Sequence, residues 1–176
     1  MKYSFTLKFR LCEKTPDLDQ IVDRLFESGC DDALVGLGIA GHISLAFDRE
    51  STSAFDALES AISDVKNALP NARVVEATPD YVGLTEAAEF IGMSRQGMRK
   101  LMTENEATFP SPVHAGNTGV WHLADVLGWL ITERNSIIDS ATVELANEAR
   151  RINLAKQINA LPAGALEDAI ELVSSD

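Results

Sequence analysis

The chain has 176 residues, of which 45% are hydrophobic, so it can form one ordinary domain or two small ones with a buried core. Its net charge is −12, and a negatively charged surface repels phosphate groups. The charge therefore argues against a protein that binds nucleic acid over its whole surface. No apolar run is long enough to cross a bilayer, and the charged N-terminal stretch does not resemble a signal peptide. We therefore expect a cytoplasmic protein without membrane association, in which Cys12 and Cys30 are reduced structural thiols.

Residues 1–78 alternate between strand and helix patterns. Large apolar side chains occupy every second position from Tyr3 to Leu11, as in a strand with one buried face. The predicted elements are a strand at 3–11, a helix at 16–29, strands at 32–38 and 42–49, a helix at 51–70 and a strand at 72–78. This order predicts an α+β fold class with a four-stranded antiparallel sheet and two helices on one face, and it resembles the ferredoxin-like βαββαβ domain.

The glycines of this region are spaced like those of a phosphate-binding loop. Gly36, Gly38 and Gly41 match the pattern Gly-x-Gly-x-x-Gly, but no long helix pattern begins there. We therefore interpret them as a hairpin turn between two strands. Residues 78–83 then predict a linker, because a new pattern begins at Leu84.

A short amphipathic helix is predicted to begin near Leu84. Leu84, Ala87, Ala88 and Ile91 form an apolar stripe at helical spacing. Thr85 is the predicted N-cap, and the nearby glutamates do not complete a capping box with it. The small side chains at 87 and 88 would allow a second helix to cross closely.

A second helix follows after a tight turn. Gly92 stands where a helix ends with positive φ, and Ser94 is the predicted N-cap of a helix over 94–104. Its inward side chains are Met98, Leu101 and Met102. Two short helices joined by a glycine-containing turn predict a helix-turn-helix.

The outward face of this second helix carries the candidate DNA-binding residues. Three of the four basic residues in 81–134 are Arg95, Arg99 and Lys100, and Ser94 and Gln96 lie beside them. Arg can read guanine edges and Gln adenine edges, whereas Ser and Lys suit phosphates. We predict that this N-terminal end enters the major groove.

Residues 112–121 predict a β-hairpin that follows the second helix as a wing. The sequence Gly-Asn-Thr-Gly at 116–119 favours a tight turn between two extended pieces. Such wings lie along the DNA backbone or minor groove, so His114, Asn117 and Thr118 are further candidate contacts. A closing helix follows the wing, with apolar residues at helical spacing from Ala124.

Residues 84–131 combine several motifs: the Leu84-Thr85 start with Ala87 and Ala88, Gly92-Met93-Ser94-Arg95, Phe109-Pro110-x-Pro112, Trp121, and Asp125-Val126-x-x-Trp129-Leu130. In this combination the region resembles the winged helix-turn-helix of the AlpA and excisionase-like DNA-binding proteins, which are relatives of the MerR group. The resemblance implies sequence-specific DNA binding, with a role in transcription or in the excision of an element.

The sequence predicts neither a metal site nor an active site. His114 and His122 have no cysteine nearby, which argues against a metal site. The acidic residues are scattered, so we predict no catalytic residues, no cofactor and no enzymatic activity. Trp121 and Trp129 are expected to pack the core of the winged unit rather than to stack on bases.

Residues 135–176 predict a long helix and a short final helix, separated by Pro162 and Gly164. Ile138, Leu145 and Ile152 repeat at seven-residue spacing over too few repeats to establish a coiled coil. This segment either packs on the chain's own body or forms a dimer or partner interface. Because the wing has no Lys or Arg, we expect a homodimer that engages two half-sites.

These patterns divide the chain into a domain over 1–78, a winged helix-turn-helix over 79–134 and a helical segment over 135–176. The first hypothesis is a DNA-binding transcriptional regulator that binds double-stranded DNA. The alternative is an antitoxin or regulatory interaction subunit of a two-component (toxin–antitoxin or defence) module. In that case the acidic surface would hold a protein partner with a basic surface, and DNA binding would be autoregulatory or lost. A third hypothesis is a metabolite sensor that uses the N-terminal domain.

Overall fold

The computed structural model describes residues 1–12, 17–36 and 38–174, except for the side chain of Leu18. This part of the chain is an α+β protein with antiparallel sheets and two hydrophobic cores. The predicted first residue of the first helix, Pro16, and residue Leu37 of the second predicted strand lie outside the described residues.

The N-terminal part forms a four-stranded antiparallel sheet. Its elements are β1 (Lys2–Arg10), α1 (Leu18–Glu27), β2 (Ala33–Gly36), β3 (His42–Glu50), α2 (Ala54–Ala68) and β4 (Arg73–Thr78). The strand order is β2-β3-β1-β4. In the central pair Leu7 lies opposite Leu45, so the buried side chains of β1 and β3 share one face.

The first core lies between this face of the sheet and the helices. Alternation along β1 and β3 buries seven apolar side chains, which pack against α1 and α2. The buried face of α1 is narrow, because Ile21 and Leu25 are buried whereas the apolar side chains of Val22 and Phe26 are exposed. The hairpin interpretation of the glycine-rich stretch is confirmed, since β2 and β3 pair antiparallel and Gly41 has φ +75°.

The prediction that 78–83 is a linker is wrong. Tyr81–Val82 forms a short strand, β5, which pairs with the strand that contains Trp121 and His122. Asp80 is fully buried, and its carbonyl oxygen accepts a hydrogen bond of 2.7 Å from the Leu123 N–H. The two parts of the chain are therefore joined by an ordered, hydrogen-bonded segment.

The second part of the chain begins at β5. Its further elements are α3 (Leu84–Phe90), α4 (Arg95–Glu104), β6 (His114–Ala115), β7 (Gly119–His122) and α5 (Leu123–Arg134). The strands form a small sheet in the order β5-β7-β6, and the helices bury a second core with Met98, Leu127 and Leu130 at its centre.

Two helices complete the described chain. The helix α6 (Ser140–Asn159) packs on the chain's own body: Leu145 and Ala149 enter the first core, and Ala146 enters the second. The last helix, α7 (Ala165–Val173), buries none of its residues. The small side chains of α6 let it lie close to both units at once.

Candidate nucleic-acid interface

The turn between α3 and α4 is built around Gly92. Gly92 has φ +66°, and its N–H donates to Glu89 O, while the Met93 N–H donates to Ala88 O. These two bonds are those of a Schellman motif, in which the residue after the helix takes the left-handed conformation. The predicted role of Gly92 as the turn residue is therefore confirmed.

The start of α3 differs from the prediction. Gly83, rather than Thr85, is the N-cap, because the helix begins two residues earlier than that cap requires. Glu86 then stands at the third helical position, and its carboxylate accepts a hydrogen bond of 2.9 Å from the Gly83 N–H. A capping interaction is thus present where the sequence interpretation placed none.

Ser94 caps α4 as predicted, since its Oγ accepts a hydrogen bond of 3.1 Å from the Gly97 N–H. Met98 is fully buried in the second core, and Leu101 and Met102 are partly buried against it. This anchoring fixes the rotation of α4 about its axis and so determines which of its side chains face solvent.

All five candidate residues at the start of α4 are exposed. They are Ser94, Arg95, Gln96, Arg99 and Lys100. The last of these lies 3.7 Å from Glu104, a highly exposed pair that contributes little to stability. The structure thus brings together three cationic side chains and one amide on one surface, at a helix end whose dipole favours phosphate.

The hairpin of β6 and β7 follows α4 at the position of the predicted wing. Ala115 pairs with Gly119, and His114, Asn117 and Thr118 are exposed at or beside the turn. A Cβ atom on Gly119 would lie 2.4 Å from the ring of Trp121, so only glycine fits there. The hairpin is short, because β6 has two residues.

Aromatic side chains pack in the core beneath the candidate surface. The expectation that Trp121 and Trp129 pack the core is confirmed, because both are buried and both contact Phe109 edge-on. The Trp121 Nε1–H donates to Pro110 O at 2.9 Å, and the Trp129 Nε1–H donates to Thr108 Oγ1 at 3.2 Å. These bonds tie the segment between α4 and the hairpin to β7 and α5.

A buried polar network, which the sequence interpretation missed, joins the interface to the rest of the chain. The Nδ1 atom of His122 lies 2.6 Å from Asp80 Oδ1, which is hydrogen-bond distance. Asn153 Nδ2 donates to the other carboxylate oxygen of Asp80 at 2.8 Å. The same amide exchanges bonds of 2.9 and 2.8 Å with the N–H and C=O of Ala77 in β4.

Further contacts from α6 surround this network. Arg150 pairs with Asp125 of α5 at 2.5 Å, and Lys156 donates to the carbonyl oxygen of Val75. Gln157 Nε2 donates to Tyr81 Oη at 2.6 Å. Burial, followed by the nearby Asp80 carboxylate, raises the pKa of Tyr81, so its hydroxyl stays protonated across the physiological range.

The described residues contain no group of three or more His, Cys, Asp or Glu side chains that could hold a metal ion. His114 is exposed in the β6–β7 hairpin, whereas His122 is buried against Asp80. Within the described ranges, no helix has both the length and the apolar character that a membrane span needs.

Comparison with known proteins gave no match to any protein-family model, any curated protein or any solved structure. The site is therefore interpreted from its own geometry.

Proposed function

We propose that this protein is a sequence-specific DNA-binding transcriptional regulator. The observation that carries the proposal is the outward cluster of Arg95, Gln96, Arg99 and Lys100 on a helix whose rotation is fixed by the buried Met98. The residues 94–104 would form the recognition helix in the major groove, and the hairpin at 112–121 would lie on the backbone or minor groove.

The arrangement of the elements supports this proposal. A Schellman turn between two short helices, a hairpin after the second helix and a closing helix are the parts of a winged helix-turn-helix. We therefore propose that 79–134 is a winged helix-turn-helix of the AlpA and excisionase-like kind. The strand order β2-β3-β1-β4 likewise supports a ferredoxin-like arrangement for 1–78.

The net negative charge of the chain favours a homodimer as the DNA-binding form. A chain of net charge −12 is repelled by DNA at long range, and its recognition surface supplies three cationic side chains. Two linked copies multiply their affinities, so a pair of weakly binding helices can recognise a site with two half-sites. Ile170, Leu172 and Val173 of α7 are exposed apolar side chains that such a dimer would use.

The proposal is tested with the double substitution Arg95→Ala and Arg99→Ala. Binding to a DNA fragment from the region upstream of the protein's own coding sequence is measured by fluorescence anisotropy at several salt concentrations. The wild type should bind as two chains per site, with an affinity that falls steeply with salt. Loss of two arginine contacts should weaken binding at least about thirtyfold.

The matched control is Lys66→Ala with Arg73→Ala, which removes the same charge from exposed positions in the N-terminal part. This variant should bind like the wild type. If both double variants weaken binding equally, the effect is one of net charge and α4 is not the recognition helix. If wild type binds neither the upstream fragment nor other DNA at low salt, the function is wrong.

A further inference from the structure

A groove of about 840 Å³ lies between α3 and the sheet face that points away from α1 and α2. The sheet side of the groove is formed by exposed side chains of β1 and β3, including Lys8, Ala46 and Asp48. The opposite side is formed by Glu86, Glu89 and the neighbouring Phe90 on α3. None of these α3 side chains belongs to the proposed DNA-binding surface on α4.

The charge of the groove is predominantly negative. Two of its carboxylates pair with lysine, since Glu76 lies 2.6 Å from Lys8 and Asp48 lies 3.0 Å from Lys2. A third, Asp80, is buried against His122. Glu86 uses one carboxylate oxygen to cap α3. Neither Glu86 nor its exposed neighbour Glu89 pairs with a Lys or Arg among the residues that the structure describes.

Apolar surface lies beside these carboxylates. Phe90 is 44% exposed on α3, and Leu34 is 78% exposed on β2 at the far side of the groove. The exposed Phe ring and Leu side chain line the same concave surface as the carboxylates that lack a Lys or Arg partner. This surface suits a ligand that is both cationic and partly apolar.

We propose that this groove docks a positively charged peptide segment of a partner protein. Lys or Arg side chains of the segment pair with Glu86 and Glu89, and an apolar side chain packs on Phe90. Nucleic acid does not fit, because phosphates would face these carboxylates. The volume of the groove is at the upper end of the range for ligand pockets, so it can hold several residues of a peptide.

This docking surface is independent of the DNA-binding proposal, since it uses different side chains on a different helix. It is the feature that the antitoxin or regulatory-subunit hypothesis requires, because such a subunit must hold a basic partner. The Pro79–Asp80–Tyr81 segment lines the groove and also contacts His122 and Leu123 of the second unit. A bound segment would therefore lie at the junction of the two units.

The test measures the binding of a fluorescein-labelled peptide of alternating lysine and leucine to the full-length protein by fluorescence anisotropy. The double substitution Glu86→Gln and Glu89→Gln should weaken binding about three- to tenfold, and the amide introduced at position 86 keeps an oxygen that can cap Gly83. Phe90→Ala should weaken it about tenfold through lost apolar contact. Circular dichroism confirms that each variant is folded.

The matched control is Glu59→Gln with Glu133→Gln, which removes two exposed carboxylates outside the groove. It should leave peptide affinity within about twofold of wild type, since only long-range charge is lost. Equal weakening by the groove and control variants would show diffuse attraction to an acidic protein and overturn the proposal. The absence of peptide binding to wild type, or equal binding of a glutamate–leucine peptide, would also overturn it.

Discussion

Cys30 and Cys12 differ in their surroundings and should differ in reactivity. Cys30 is buried, and burial, followed by the Asp64 carboxylate, raises the pKa of its thiol to about 11. At neutral pH it is therefore a protonated, inaccessible thiol, whereas Cys12 is exposed. An aromatic disulfide reagent at pH 8 should label one thiol rapidly in the native protein and the second only after denaturation.

Mass spectrometry of the digested product identifies the labelled residue. Cys12→Ser should abolish the fast phase and leave the slow one. Rapid labelling of Cys30 in this variant would show that the first core opens readily, contrary to the burial described above.

Single residues with local signals could be predicted from the sequence. Gly92 ends a helix, where the left-handed backbone favours glycine, and Ser94 begins one, where a side-chain oxygen accepts a free helix N–H. Asp80, His122 and Asn153 could not be predicted in the same way, because each pairs with residues far away in the chain. An Asn in the middle of a helix is ordinarily a solvent-exposed residue, and nothing near 153 indicates that it bonds to Ala77.

At the scale of the helices, substitution of two glycines with open space around them should change stability in opposite directions. One glycine has a left-handed backbone and the other a helical backbone. A Cβ atom at Gly92 or at Gly128 of α5 would meet nothing within 4 Å. Gly92 has φ +66°, so Gly92→Ala should destabilise the protein by about 1 kcal/mol or more. Gly128 is inside a helix, so Gly128→Ala should stabilise it by about 0.5–1 kcal/mol.

Urea denaturation followed by circular dichroism gives both free energies of unfolding. Because neither substitution creates a clash, the difference in sign isolates the backbone conformation. Stabilisation by Gly92→Ala would show that the turn between α3 and α4 does not have the left-handed geometry.

Element prediction succeeded where a pattern was long enough to repeat. Alternation over nine residues defines β1, and helical spacing over fifteen residues defines α2. The strand β5 has two residues, which is too short to show any period, and its partner β7 lies about forty residues away. The sequence therefore predicts a linker there. It likewise leaves open the position of α6 across both cores, because apolar spacing does not tell which surface a helix covers.

At the scale of the whole molecule, α6 should make the two units unfold together. Asn153→Ala removes three buried hydrogen bonds, so it should cost about 3 kcal/mol and uncouple the units. Both tryptophans lie in the second core, so their fluorescence reports on that unit, whereas circular dichroism reports on both. The two urea curves should coincide in wild type and separate in the variant.

Asn147→Ala is the control, because Asn147 is exposed on the same helix and bonds only to the helix backbone. It should change the free energy of unfolding by less than about 0.5 kcal/mol and leave the curves coincident. Separate curves already in wild type would show that α6 does not couple the units.

The contacts of Asn153 and Lys156 with β4 also bear on self-association. They occupy outward backbone groups of Ala77 and Val75, so this edge of the four-stranded sheet cannot accept another strand. The opposite edge, β2, has no strand beyond it in the described sheet. A sheet with one closed edge can join a second copy only through its open edge, and the resulting pair has no free edge left. Strand addition at the four-stranded sheet would therefore stop at two chains and could not continue into a longer array.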